Sequence, residues 1–164
     1  MEKTLLTRTN EPTIELNSSV KKVYKGMTLY YDEVFYLDYE VDEDTGFINK
    51  ENKVKHYTKS QVDRNIKALK NAYHVAKGAA SPIEIINFRN KYQISASTFS
   101  IILGFSKNTI SNIEHEGVTS LSTGRLIKLC LENKDMLQRY LQMCDEIDDI
   151  KKRELSKRLM EEYI

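Results

Sequence analysis

The chain has 164 residues, 40% of them hydrophobic and 30% charged, with 25 Lys and Arg against 24 Asp and Glu. This length allows one medium domain or two small ones with a real core, and the composition is that of a globular chain, not a disordered one. A formal charge of +1 excludes a polybasic nucleic-acid coat, two cysteines cannot build a disulfide framework, and no apolar run approaches the roughly 18 residues of a membrane span.

The opening, MEKTLLTRTNEPTIEL, has no continuous apolar segment and no small-residue cleavage site, which argues against secretion. Two cysteines without evident partners fit a reducing compartment, so a cytoplasmic protein without a membrane partner is expected. Residues 1–57 read as a β-rich region. Residues 20–31, VKKVYKGMTLYY, and 33–41, EVFYLDYEV, are rich in Val, Tyr, Phe and Leu. In the second, Phe35, Leu37, Tyr39 and Val41 alternate with Val34, Tyr36, Asp38 and Glu40, the pattern of a half-buried strand. The two segments are expected to pair antiparallel across Asp32. The following Asp42-Glu43-Asp44-Thr45-Gly46 begins like an acidic cation loop but lacks the remaining ligand spacing, so it reads as a solvated turn.

Residues 58–79 predict a connecting helix. Val62, Ile66, Leu69, Tyr73 and Ala76 recur at intervals of three and four, and Gly78 is a natural stop. That stripe can pack on the strands, on the C-terminal domain or on a second subunit. The opposite face, with Arg64, Lys67, Lys70 and Lys77, is either solvated or flanks a DNA backbone.

Residues 80–144 carry the most informative pattern. Ser81-Pro82-Ile83-Glu84 combines an N-cap serine, proline at the first helical position and glutamate three residues after the cap, and Ile85, Phe88 and Tyr92 follow at helical spacing. Two short helical patterns then meet at Gly104-Phe105-Ser106, the layout of a helix-turn-helix reader. Ser95 is placed to cap the first, with Phe99, Ile102 and Leu103 inward; Ser106 is placed to cap the second, with Ile110 and Ile113 inward. Lys107, Asn108, Thr109, Ser111 and Asn112 are left on the exposed side, with lengths suited to base edges and phosphates. Ser97, Thr98 and Ser106 are further candidates for phosphate contact. The same spacing also describes an ordinary helical hairpin with polar outer faces. A fourth helix starting at Ser120 or Ser122 places Leu126, Leu129 and Cys130 together. A fifth, after Asn133 and Asp135, carries Leu137, Tyr140, Leu141 and Cys144.

Five helices with the second and third tightly linked follow the plan of Cro/XRE-type domains. The run from Ser81 to Leu141 resembles, more narrowly, the C-terminal DNA-binding domain of MqsA-type (YgiT-type) antitoxins. The resemblance rests on Ser81-Pro82, Arg89, the Phe99–Gly104 core, Asn108-Thr109-Ile110-Ser111 with Glu114, and Ile127-Lys128-Leu129. It implies a base-contacting role for Asn108. The arginine that this family carries four residues later is Asn112 here, so the operator sequence does not carry over. Many such antitoxins also begin with a zinc domain built on two CxxC pairs. The only cysteines here, Cys130 and Cys144, stand fourteen residues apart, and His56, His74 and His115 are scattered, so neither metal nor cofactor is expected.

Residues 145–164 sketch a narrow amphipathic helix. Ile147, Leu155 and Leu159, continuing from Leu141 and Cys144, are the expected seam of a dimer, with Tyr163 at the far end. No Gly-rich phosphate loop, GxSxG or HExxH occurs, so an enzyme is not expected. By segment, residues 1–60 hold 9 Lys/Arg and 11 Asp/Glu, residues 61–80 hold 4 and 1, residues 81–120 hold 3 and 3, and residues 121–164 hold 9 and 9. Such a neutral reader would rely on neutral donors, backbone amides and a second subunit.

The expectation is therefore an α+β chain with a small antiparallel β region, a connecting helix, and an all-α five-helix Cro/XRE-type domain. Its expected work is to bind a double-stranded DNA operator as a homodimeric transcriptional repressor. The antitoxin resemblance implies autoregulation, with the N-terminal region holding a toxin or other protein partner. A phage or mobile-element regulator without a toxin, and an interaction module or inhibitor that keeps a helix-turn-helix, are the alternatives.

Overall fold

The structure is a computed structural model that describes residues 4–161. The chain divides into two compact units between Ala72 and Tyr73, inside helix α1 (Lys59–Ala76).

In the first unit, β1 (Thr4–Leu6) and β2 (Pro12–Ile14) form a two-stranded antiparallel sheet. The strands β3 (Leu16–Tyr24), β4 (Met27–Val41) and β5 (Ile48–His56) form a second sheet in the order β3-β4-β5, antiparallel throughout. The expected turn across Asp32 is replaced by one at Lys25-Gly26. Lys25 (φ 46) and Gly26 (φ 77) are both left-handed, and Tyr24 faces Met27 across them, the two-residue hairpin whose twist matches that of its strands. Asp32 is therefore mid-strand, opposite Ser19, and β4 runs through it without a break. A register shift between Tyr39 and Glu40 marks a bulge.

The core of this unit holds Leu29, Phe35, Tyr36 and Leu69. Three buried polar side chains, Thr7, Asp38 and Gln61, belong to this unit, each with partners; the Thr7 hydroxyl accepts from the Glu11 N–H (2.9 Å). Asp38 accepts hydrogen bonds from the Tyr39 N–H (2.7 Å) and the Thr9 hydroxyl (3.1 Å). Burial alone would raise its pKa, but these bonds and one from the Arg8 N–H outweigh burial and hold it below the ordinary value. Gln61 accepts from the Thr58 N–H (2.9 Å) and donates to Glu15 (3.2 Å). The inward face of α1 thus differs from the expected stripe: Gln61 and Leu69 are buried, while Val62 and Ile66 are exposed. Its polar inward residues meet backbone and carboxylate groups, not an apolar surface. Asn65 is the clearest case, accepting from the Val34 N–H (2.8 Å) and donating to the Val34 carbonyl (2.9 Å).

The second unit holds α2 (Pro82–Tyr92), α3 (Ala96–Ile102), α4 (Thr109–Glu116), α5 (Leu121–Glu132), α6 (Lys134–Met143) and α7 (Asp149–Met160). These elements correct the expected architecture. The described residues form two sheets, of two and three strands, and seven helices; the second unit is not a five-helix domain closed at residue 144. One core contains Ile85, Phe99, Ile110, Ile127, Leu137 and Leu141 together with Cys144, Ile147, Leu155 and Leu159. Leu141, Cys144, Ile147, Leu155 and Leu159, read as a dimer seam, are thus buried within their own chain, because α7 folds back onto α6; Tyr163, at the expected far end, lies outside the described residues. Cys130 is buried in the same core, and burial pushes its thiol pKa up to about 11. Leu129, expected beside it, is exposed: the inward phase of α5 is set by Gly124, Ile127 and Cys130 at intervals of three.

Candidate nucleic-acid interface

The segment expected to be a DNA reader comprises α2, α3 and α4, and each junction has an identifiable cause. At the start of α2 the capping box is complete. The Ser81 hydroxyl accepts from the Glu84 N–H (3.2 Å), and Glu84 accepts from the Ser81 N–H (2.8 Å). Lys128 of α5 donates to the other Glu84 oxygen (2.6 Å), tying the two helices. Burial would raise the Glu84 pKa, but the bonds from Lys128 and Ser81 prevail and lower it.

Ser95 caps α3, accepting from the Thr98 N–H (3.1 Å). At the other end Gly104 adopts φ 79, a left-handed conformation that any Cβ would strain, and the chain turns there. Between these ends lies the joint with α4. Ser100 is fully buried; its hydroxyl donates to the Ala96 carbonyl (2.8 Å) and accepts the Ile110 N–H (3.0 Å). That backbone N–H belongs to the first turn of α4 and would otherwise be an orphaned buried donor. Phe99, Ile102, Ile110 and Ile113 close the apolar side of the same joint.

A second tie fixes α4 against α2. Arg89 donates from Nε to one oxygen of Glu114 (2.6 Å) and from Nη2 to the other (2.7 Å), a planar two-point pairing, and from Nη1 to the Ile94 carbonyl (3.0 Å). Both side chains are largely buried. The Glu114 carboxylate is thereby turned into the unit and away from the outer face of α4.

Helix α4 begins later than the capping argument places it. Its first residue is Thr109 and its N-cap is Asn108 (φ −97, ψ −2), whose carboxamide makes no capping bond. Ser106 instead pairs hydroxyl to hydroxyl with Thr109 (2.9 Å), and the Ser106 carbonyl accepts the Thr109 N–H (3.0 Å), a turn that leads into the helix. Asn108 is therefore exposed with its side-chain amide uncommitted to the cap.

The structure brings most of the expected reader residues to one element. Lys107, Asn108, Ser111 and Asn112 are all exposed on α4 or in the turn before it, Ser106 is exposed, and Thr109 is half-buried. The Ser111 hydroxyl donates back to the Asn108 carbonyl (3.0 Å), which orients its lone pairs without removing them. Ser97 is exposed in the first turn of α3, within 3.4 Å of the Ser95 hydroxyl. Thr98 is the exception: it is buried, and its hydroxyl accepts from Ser95 (2.8 Å), so it completes a cap and does not face a ligand. Sequence reading missed Ser100, although a serine between Phe99 and Ile101-Ile102 is a polar residue in an apolar stretch, and such a residue asks for a buried partner. The pairing of Arg89 with Glu114 has no sequence signature either, since nothing in a linear spacing of twenty-five residues shows it.

Among the described residues no three His, Cys, Asp or Glu side chains converge as a ligand set, and no helix is long and apolar enough to cross a membrane. No family model matches the chain, and no curated protein or solved structure shows significant similarity to it.

Proposed function

We propose that the second unit is a sequence-specific reader of double-stranded DNA, and that the protein acts as a dimeric transcriptional repressor. One observation carries this reading. Helix α4 is clamped on its inner side by Ser100 and by the Arg89–Glu114 pair, while Asn108, Ser111 and Asn112 stand together on its outer side with short polar side chains and Lys107 beside them. A helix held from behind and presenting amides and a hydroxyl at its N-terminal end has the form of a recognition helix, whose first turns contact base edges. Asn108 carries the sequence-reading role, because a carboxamide pairs with adenine through two hydrogen bonds. Lys107, Ser106, Thr109 and Ser97 supply the surrounding phosphate contacts.

The narrower antitoxin reading rests on the resemblance of residues 81–141 to the DNA-binding domain of MqsA-type antitoxins. Within it, the first unit holds a protein partner, and the chain represses the operon that encodes both. The exposed Leu6, Ile14 and Phe47 of that unit support a protein-binding role for it.

Footprinting on the gene's own promoter tests the reading. Asn108→Ala should relax discrimination at one base pair per half-site by about 1–3 kcal/mol, with the thermal midpoint unmoved because the side chain is exposed. An unchanged footprint removes Asn108 from the interface. If wild-type protein protects neither this promoter nor random genomic fragments, the helix-turn-helix serves protein contacts instead.

A further inference from the structure

In the three-stranded sheet, β4 is longer than its second neighbour. Its pairing with β5 spans Tyr36 to Val41, whereas its pairing with β3 continues to Met27. The Tyr24–Met27 pair closes a two-residue hairpin and is hydrogen-bonded, so Met27, Leu29, Tyr31 and Glu33 direct their amides toward β3. Thr28, Tyr30 and Asp32 direct theirs the other way, where no strand among the described residues pairs with them. Val34 points the same way, and Asn65 meets both its N–H and its carbonyl. A side-chain amide thus occupies the place of the missing strand at Val34 and leaves the next three outward positions without one.

The remaining edges of this sheet are guarded. Lys21 and Lys22 lie on β3, and Lys50, Glu51, Lys53 and Lys55 lie on β5. Long charged side chains on an edge discourage further pairing. Thr28-Leu29-Tyr30-Tyr31-Asp32 has no lysine, no proline and a single charge, and Tyr30 is 65% exposed. Val62 and Ile66 of α1, 43% and 60% exposed, line a groove of about 280 Å³ with Tyr31, Tyr57 and Leu69. Asn65, between them in sequence, is the residue bonded to this edge at Val34.

We propose that two copies of the chain associate by antiparallel pairing of Thr28–Asp32 across a two-fold axis at Tyr30. The segment is self-complementary in that arrangement. Tyr30 faces Tyr30 of the second copy as a hydrogen-bonded pair, Leu29 faces Tyr31, and the only charge, Asp32, falls opposite Thr28 and not opposite another carboxylate. The two three-stranded sheets become one continuous sheet, and the exposed Val62 and Ile66 flank the seam. The argument uses only the first unit and stands independently of the DNA reading.

The test is made on the full chain without DNA. Light scattering at tens of micromolar should give twice the 19.1 kDa chain mass. Tyr30→Lys, at an exposed side chain, should return the mass to that of one chain, with an unchanged far-UV circular dichroism spectrum showing that each chain stays folded. Tyr30→Cys should form a disulfide-linked dimer on mild oxidation, because residues facing each other in a hydrogen-bonded pair have Cα atoms about 5.5 Å apart. Val23→Cys, 70% exposed on the guarded β3 edge, should not. The native Cys130 and Cys144 are buried and leave the assay clean. A monomeric wild type, a dimer that survives Tyr30→Lys, or a Tyr30→Cys variant that links no better than Val23→Cys overturns the proposal.

Discussion

At Ser100 a single hydroxyl bridges α3 and α4. It donates into its own helix at Ala96 and accepts the first-turn N–H of the next helix at Ile110, so it satisfies a buried backbone donor that neither helix can satisfy alone. Ser100→Ala keeps the volume nearly constant but leaves that N–H unpaired in the core, which costs about 1–3 kcal/mol. Urea denaturation should therefore show a lower midpoint with an unchanged slope, whereas Ser97→Ala, at an exposed position, should leave the midpoint within about 0.5 kcal/mol of wild type. Equal effects of the two substitutions would mean that Ser100 only fills space. Residues of this kind define the limit of reading from sequence. The candidates Asn108, Ser111 and Asn112 were legible because helical periodicity alone decides which side of α4 they occupy. Thr98 was misplaced and Ser100 overlooked, since a short polar side chain near a helix start serves equally as cap, clamp or ligand contact. The choice among these depends on what packs above it.

Among the elements, helices were legible and strands much less so. Ser81, Ser95, Ser120, Asn133 and Asp148 each accept the N–H three residues on at the start of a helix, a local interaction with a local signature. β1 and β2 are three residues long, and β5, INKENKVKH, is mostly exposed on both faces, so neither hydrophobicity nor alternation announces them. α7 was legible as a helix but not in its role. Its Leu155 and Leu159 satisfy the pattern of a dimer seam and of a core helix alike, and the structure spends them on the core. Ser156 also donates to Gln138 (2.8 Å), and Arg158 donates to the Gln93 carbonyl (2.8 Å), fastening α7 to α6 and to the end of α2. Removing two fully buried leucines forfeits roughly 3–6 kcal/mol, against a total stability of roughly 5–15 kcal/mol for a typical domain. Truncation after Asp145 should therefore abolish cooperative unfolding of the second unit by calorimetry. A truncated protein that still melts cooperatively would show that α7 is an appendage after all.

For the whole molecule, charge sets the terms of the proposed DNA recognition. The formal charge is +1, and the segment from 81 to 120 carries equal numbers of Lys/Arg and Asp/Glu. Within that segment Arg89 is engaged with Glu114 and Lys91 lies over the Tyr92 ring, which leaves Lys107 as the cation beside the exposed amides of α4. Affinity that comes from neutralising phosphates falls with salt in proportion to the number of contacts, at about −0.9 per phosphate in a plot of log K against log salt concentration. If each reader contributes Lys107 and at most one further cation, a dimer makes two to four such contacts, and the slope should lie between roughly −2 and −4. A strongly basic repressor making ten contacts would show a slope of about −9. Binding to random-sequence DNA, which depends almost wholly on this term, should be weak at physiological salt, so selectivity must come from Asn108, Asn112 and the pairing of two half-sites. Titrating a labelled promoter fragment at four salt concentrations, with Lys107→Gln beside wild type, decides the matter. The substitution should make the slope shallower by about two in a dimer, one phosphate per reader, and weaken specific and random DNA alike. A steep wild-type slope that Lys107→Gln leaves untouched would place the phosphate contacts on another surface, the basic residues of α1 or α7 being the first to replace.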